Sequence, residues 1–243
     1  MTGIAQTNLQ LYQQLMRAGY GQEDLEYIHH AYDLASRLFT CLYRPSGKEH
    51  LAHAVGTASI LCILHQRVSF IAAGLLHASY NHGAFPGVRK GPTESNRNTI
   101  RNLVGEETEQ LIFRYFVFPW KKQDLRMILE SISNFREIDR EVLFLRLVND
   151  LEDYIDQGVS YCMRGPGILR SLREIGPTKI EMAKKLGYPA LSTLLEEAYA
   201  TVFQTEIPSM VRKSTNVKGD FLQPPLSYRL RICGWLSERG LLH

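Results

Sequence analysis

Apolar residues recur three and four positions apart along most of the chain, and runs of alternating β-branched or aromatic residues are almost absent. That period is helical, so the chain is expected to be all-α. The pattern predicts helices over residues 7–18, 23–42, 48–64, 68–80, 95–117, 121–134, 138–157, 177–185, 189–203 and 226–239. Punctuation supports the breaks: Gly19 and Gly21, the Pro45/Gly47 pair, GAFPGVRKGP, Pro119 and the RGPG at 164–167. The stretch FIAAGLLHASYNHGAF, Phe70 to Phe85, is apolar on all sides at its start and predicts a buried helix, whereas GYPALSTLLEEAYATVF buries one stripe of Leu191, Leu194, Leu195 and Ala198. The polar, turn-rich residues 209–225 predict a loop. Together these elements describe a single domain over 1–243, with a helical core at about 25–157 and a C-terminal helical extension over 158–243.

Composition narrows the class only slightly. At 44% hydrophobic and 22% charged residues the chain is ordinary globular protein, and a net charge of +3 without a basic run argues against a nucleic-acid partner. The cysteines (Cys41, Cys62, Cys162, Cys233) lie far apart, with no CxxC pair, as expected of packed thiols in a reducing compartment. No stretch approaches eighteen uninterrupted apolar residues, and the first twenty lack the basic start and apolar core of a signal peptide. A cytoplasmic protein without a membrane partner is expected; the oligomeric state is not encoded legibly.

The chemistry-bearing residues concentrate in three stretches. YRPSGKEHLAHAVGTASIL, Tyr43 to Leu61, carries Arg44 and Lys48 on a turn and then His53 one helical turn before Gly56 and Thr57. Ala52 and Gly56 are small enough to let another element approach that histidine. The second stretch places His77 near Tyr80 and Asn81, with His82 at the helix end. The third, EVLFLRLVNDLEDYID (Glu141 to Asp156), interrupts an apolar helix with Asn149, Asp150, Glu152 and Asp153. Asp150 is expected to form a solvated pair with Arg146, four residues earlier, and Glu152 to share the face of Asn149. Arg97 and Arg101, one turn apart, are expected to face the same site, beside the aromatics Phe113, Tyr115, Phe116, Phe118 and Trp120. His29, His30, His50 and His65 fall into no pattern.

In order and spacing these stretches resemble the HD-domain superfamily of helical metal-dependent phosphohydrolases, in particular its alarmone-hydrolase branch. The R-x-S-G-x-x-x-x-x-H pattern of that branch is matched by Arg44, Ser46, Gly47 and His53; its A-A-x-L-H-D helix is similar to AAGLLHA, and its L-A-D-R-L-E-D to LVNDLED. HASYNHGAF followed by RNTIRNLVGEETEQL is similar, more closely, to an uncharacterised HD-like group with His-Ala or His-Ser in place of His-Asp. The resemblance covers about residues 25–157 and implies an HD-domain-like helical bundle. It also implies a metal held by two histidines and two aspartates, but here Ala78 stands for one aspartate and Asn149 for the other. Loss of both carboxylates removes ligands and charge together, so no metal and no other cofactor are expected.

The expected function is therefore a metal-independent HD-like enzyme acting on a small, partly apolar or anionic metabolite, of the kind found in specialised, natural-product biosynthesis. His53 and His77 would move a proton next to a carbonyl, with Tyr80 and Asn149 holding the oxygen, for cyclisation, isomerisation, condensation or elimination. Arg44, Lys48, Asn81, His82, Arg97, Arg101 and Glu152 would bind the substrate. Two alternatives stand beside it. One is a metal-dependent phosphohydrolase in which His53, His77, His82 and Asp150 or Glu152 converge on a rearranged site; the other is a non-catalytic ligand-binding bundle.

Overall fold

The computed structural model describes residues 3–86, 91–161, 165–206, 208 and 221–222. The predicted final helix at 226–239 and most of the predicted loop before it lie outside the described residues. Within them the chain is all-α apart from one short antiparallel pairing, β1 (Leu42–Tyr43) with β2 (Phe221–Leu222), in which Leu42 faces Leu222 and Tyr43 faces Phe221.

The helices are α1 (Asn8–Arg17), α2 (Gln22–Phe39), α3 (His50–Ile63), α4 (Val68–Leu76), α5 (Ser79–His82), α6 (Glu94–Val117), α7 (Leu125–Ser131), α8 (Glu137–Ile155), α9 (Gly158–Tyr161), α10 (Gly165–Lys185) and α11 (Pro189–Gln204). Local chemistry explains several starts. Thr7 and Gln10 form a reciprocal capping box on α1. Pro189 opens α11, where its missing N–H has no helical acceptor to lose.

The pattern along α4 sets the centre of the molecule. Every residue from Ser69 to Leu76 is buried, so the helix has no solvent face and is packed on all sides, by α2, α3 and α6. Four of its side chains, Phe70, Ile71, Leu75 and Leu76, are almost completely removed from water, at about 1.5–3 kcal/mol each. Helix α3 is nearly as deeply buried, from His53 through Cys62. The two buried helices thus hold the histidines at their ends rigidly. Helices α10 and α11 pack on each other, and α11 lies against α8.

The helix expected over 23–42 ends at Phe39, and that expected over 121–134 is α-helical only over Leu125–Ser131; three further differences bear on the rest of the structure. The helix expected over 68–80 ends at Leu76, and Ala78 (φ −90°, ψ 1°) resets the chain direction before α5. Helix α6 is bent where Val104 (φ −129°) and Gly105 (φ +72°, ψ 171°) leave helical geometry, a left-handed conformation that glycine adopts without steric cost. The freed Val104 carbonyl accepts from the Tyr27 hydroxyl. Finally, α10 begins at Gly165 and runs through Pro177, twelve residues before the predicted start. RGPG predicts a break, but proline in a first turn is compatible with a helix.

Candidate functional site

A cavity of about 190 Å³ opens among the ends of α3, α4, α5, α6 and α8, lined by Arg44, His50, His77, Ala78, Asn81, His82, Tyr115, Arg146 and Asn149. Its lining holds two guanidinium groups and three imidazoles, and no aspartate or glutamate.

His77 caps the end of α4, where its Nδ1 donates to the Gly74 carbonyl at 2.7 Å. That bond fixes the tautomer and leaves Nε2 as the ring nitrogen available to a ligand. Burial, with the neighbouring His53 ring, holds its pKa well below the usual histidine range, so the ring is neutral. The rings of His53 and Tyr115 each lie 5.2 Å from it, edge to face.

His53 stands behind this wall. Its Nδ1 is hydrogen-bonded to Glu152 Oε2, and its Nε2–H donates to Asn149 Oδ1 at 2.9 Å. A neutral ring that donates at Nε2 must accept at Nδ1, so the proton of the Nδ1 bond comes from the Glu152 carboxyl. Burial, reinforced by Arg44, pulls the His53 pKa well down, while burial pushes Glu152 up to about 7 against the pull of Lys48. The two groups are both about 1% exposed and hold one titratable proton between them across the weakly acidic range, on Glu152, so that neither is charged. Gly56 makes the contact possible: a Cβ there would come within 2.4 Å of Glu152 Oε1.

Lys48 Nζ also contacts Glu152 and reaches Asp156 Oδ2 at 2.7 Å, and Arg44 meets Asp153 Oδ1 at 2.5 Å. Burial lowers the Lys48 ammonium, but the two acids outweigh it and raise its pKa. His53, Glu152 and Asp153 form the one group among the described residues with metal-ligand character, its donor atoms within 4.8 Å of one another. The donor set does not fit a divalent ion: each carboxylate already holds a cation, and the His53 nitrogen facing them is committed to Glu152.

Of the residues expected at the site, His77, Asn149, Arg44, Asn81 and His82 line the cavity, and His53 supports Asn149 from behind. Lys48 and Glu152 belong to the ionic network under His53 rather than to the lining. Tyr80, Arg97 and Arg101 are turned elsewhere. The break at Ala78 swings Tyr80 off the His77 face, and its hydroxyl donates to Glu109 Oε1 at 2.6 Å. Arg97 grips the same carboxylate with Nε and Nη2 at 2.7 and 2.8 Å, and Arg101 adds a contact at 3.3 Å. Burial alone would raise the Glu109 pKa, but Arg97 and Tyr80 outweigh it and hold it low. This clamp spans the bend in α6.

The expected Arg146–Asp150 pair is also replaced. Asp150 accepts from Lys179 Nζ at 2.5 Å and from the Tyr199 hydroxyl at 2.6 Å, on α10 and α11. Arg146 instead lies over the Tyr115 ring, 3.6 Å from its centroid, and donates from Nη2 to the Tyr115 carbonyl. Of the aromatics expected near the site Tyr115 lines the cavity; His50 and Arg146 are site residues that the pattern did not reveal. The signal for His50 was present, since it precedes His53 by three residues on one helix face; its ring packs on that of His82, centroids 4.8 Å apart.

These features define a helical bundle with a small, acid-free pocket walled by histidine and arginine. A family profile described as a domain of unknown function, DUF6817, matches residues 42–119, from β1 to just past α6. A search of curated proteins finds no match. Among solved structures the chain is similar to one described as a metazoan orthologue of SpoT that hydrolyses ppGpp and plays a role in starvation responses. The identity is 14%, the match covers 74% of this chain and 96% of that one, and the TM-score is 0.48. A likeness that slight adds nothing to the chemistry of the side chains. No helix among the described residues is long and apolar enough to cross a membrane.

Proposed function

We propose that the protein is a metal-independent enzyme of HD-like descent that moves a proton next to a carbonyl in a small anionic metabolite. The observation that carries this reading is His77: a neutral imidazole with Nδ1 tied to Gly74, lining a pocket that contains cations and amides but no carboxylate. The metal site of HD enzymes takes carboxylate ligands at that wall, and Ala78 and Asn149 supply none.

In this reading His77 Nε2 takes a proton from the carbon beside the carbonyl. The electron pair of the broken C–H bond moves to the carbonyl oxygen, and an amide N–H of Asn81, together with the positive field of Arg44, stabilises the resulting enolate. The imidazolium then returns that proton, or a solvent proton exchanged for it, to the same or a neighbouring position, completing exchange or isomerisation with no external reductant or oxidant. His53 acts through Asn149, which it orients, and is a positioning residue. The size of the pocket limits the substrate: about 190 Å³ lies below the 300–1,000 Å³ usual for drug-sized ligands, so a compact oxo acid fits and a nucleotide does not fit within it.

Incubation of the intact protein in D₂O with pyruvate, acetoacetate or levulinate, followed by NMR, tests the proposal. Deuterium should enter the position next to the carbonyl faster than in buffer, unaffected by EDTA, and His77→Ala should remove the excess rate. Exchange abolished by EDTA and restored by a divalent cation would favour the phosphohydrolase-like metal reading instead, and exchange unaffected by His77→Ala would refute the assignment of the base.

A further inference from the structure

Arg146 enters neither the sequence motifs nor the proton chemistry, yet its surroundings are unusual. The guanidinium carbon lies over the Tyr115 ring, 3.6 Å from its centroid, with Nη2 donating to the Tyr115 carbonyl. Its Nε–H is fully buried and has no hydrogen-bond partner. Among the described residues no carboxylate lies within ion-pair distance of it, although Arg44, on the same cavity, is paired with Asp153. A guanidinium keeps its charge at any physiological pH and is costly to withdraw from water without an anion. The unused donor and the unmatched charge therefore ask for the same thing, an anionic acceptor in the cavity.

We infer that Arg146 is the specificity-determining residue of this pocket and that it selects a monocarboxylate. Three observations converge on that class. The ligand charge should match one uncompensated cation, and a carboxylate carries one negative charge where a phosphate monoester carries between one and a half and two. The planar fork, already held over Tyr115, suits a planar acceptor. The Tyr115 ring also touches His77 edge-on, so an anion held on Arg146 lies on the wall that carries the proposed base. This inference rests on the proposed oxo-acid reading for its substrate, but binding alone can test it.

Calorimetric titration of the full chain with pyruvate, acetoacetate and levulinate provides that test, with pentane-2,4-dione as the neutral isostere of acetoacetate and inorganic phosphate as the competing anion. At least one carboxylate should bind roughly tenfold or more tightly than the dione, and phosphate should not displace it. Arg146→Met should weaken carboxylate binding by about tenfold or more and leave the dione unchanged. Arg146→Lys, which keeps the charge and guards against a folding defect in the methionine variant, should restore only part of the loss. His77→Gln should bind carboxylate as the native protein does while losing deuterium exchange. Equal binding of acid and dione, no binding of any carboxylate, tighter phosphate, or an unaffected Arg146→Met would each overturn the inference. Charge-selective binding without exchange in the native protein would refute the catalytic proposal and leave Arg146 as the selector. Exchange that survives in Arg146→Met with an unchanged KM would do the reverse.

Discussion

Two buried polar clusters lie within a few turns of each other and are built on opposite plans. Around Glu109 one carboxylate, fully buried, is matched by Arg97 and Tyr80, and the second guanidinium, Arg101, also pairs with Glu94 and Glu106, so every charge has its counterpart inside the protein. Around the cavity Arg146 and the three histidines face one another with no acid in the lining. Both arrangements place arginine beside an aromatic ring: Arg97 sits 4.0 Å from the Phe113 centroid, and Arg146 lies over Tyr115. The difference lies in completion. A closed set of charges holds two halves of a bent helix together, whereas an open one has a position left for something that is not part of the chain.

The contrast would break most visibly at His77. His77→Ala should reduce the exchange rate by about 10²–10⁴-fold, the usual contribution of a general base, with little change in the thermal midpoint. An equal loss of stability and activity would mean that the cavity is as structural as the clamp. Glu109→Ala is the converse test: removing the shared acid should cost on the order of 3 kcal/mol in denaturant unfolding, and the protein that remains folded should still bind ligand. If binding disappeared as well, the two clusters would not be separable. Gly56→Ala should be felt in both properties, because the added methyl pushes Glu152 off His53; about 1–3 kcal/mol of stability and much of the exchange rate should be lost.

The smallest and most discriminating effect is on pH dependence. Between the ordinary pKa values of glutamate and histidine, an unfolded His53/Glu152 pair carries one proton, on histidine, and the folded pair also carries one, so their contributions to the slope cancel. His77 is held neutral when folded and must be charged when unfolded, so stability should fall as pH drops below about 6.5 with a slope near one proton, about 1.4 kcal/mol per pH unit. In Glu152→Gln the raised carboxyl is gone and His53 contributes its own demand. The slope should approach two protons over the same range, measured as unfolding free energy from pH 5 to 6.5. An unchanged slope would show that the pair is not coupled in the folded state.

The helical period located nearly every element, because α2, α3, α8 and α11 each present apolar residues at a spacing that tertiary packing had no reason to override. It failed where one residue redirects the chain. Ala78 carries no mark of a turn, yet its conformation moves Tyr80 from the cavity to Glu109, and Gly105 bends α6 so that Arg97 and Arg101 meet an acid beyond the bend. His77 at the end of α4 and Asn149 on α8 reach the pocket, with Asn81 and His82 just past Ala78, whereas Tyr80, Arg97 and Arg101 are carried to Glu109. Arg146 was hidden for a different reason. A local i, i+4 partner accounted for it on paper, and only the arrival of Lys179 and Tyr199 from far along the chain shows that Asp150 is taken.

Asn149 and Asp150 are neighbours on α8 and point about 100° apart, one at His53 and the cavity, the other at α10 and α11. The acid-free wall is therefore a matter of rotational phase: turn α8 by one residue and a carboxylate enters the pocket. Lys179 and Tyr199 grip Asp150 like a key against a cylinder, setting that phase from outside the bundle. Helices α10 and α11 do not line the cavity, yet they decide which of two adjacent letters of the sequence it reads.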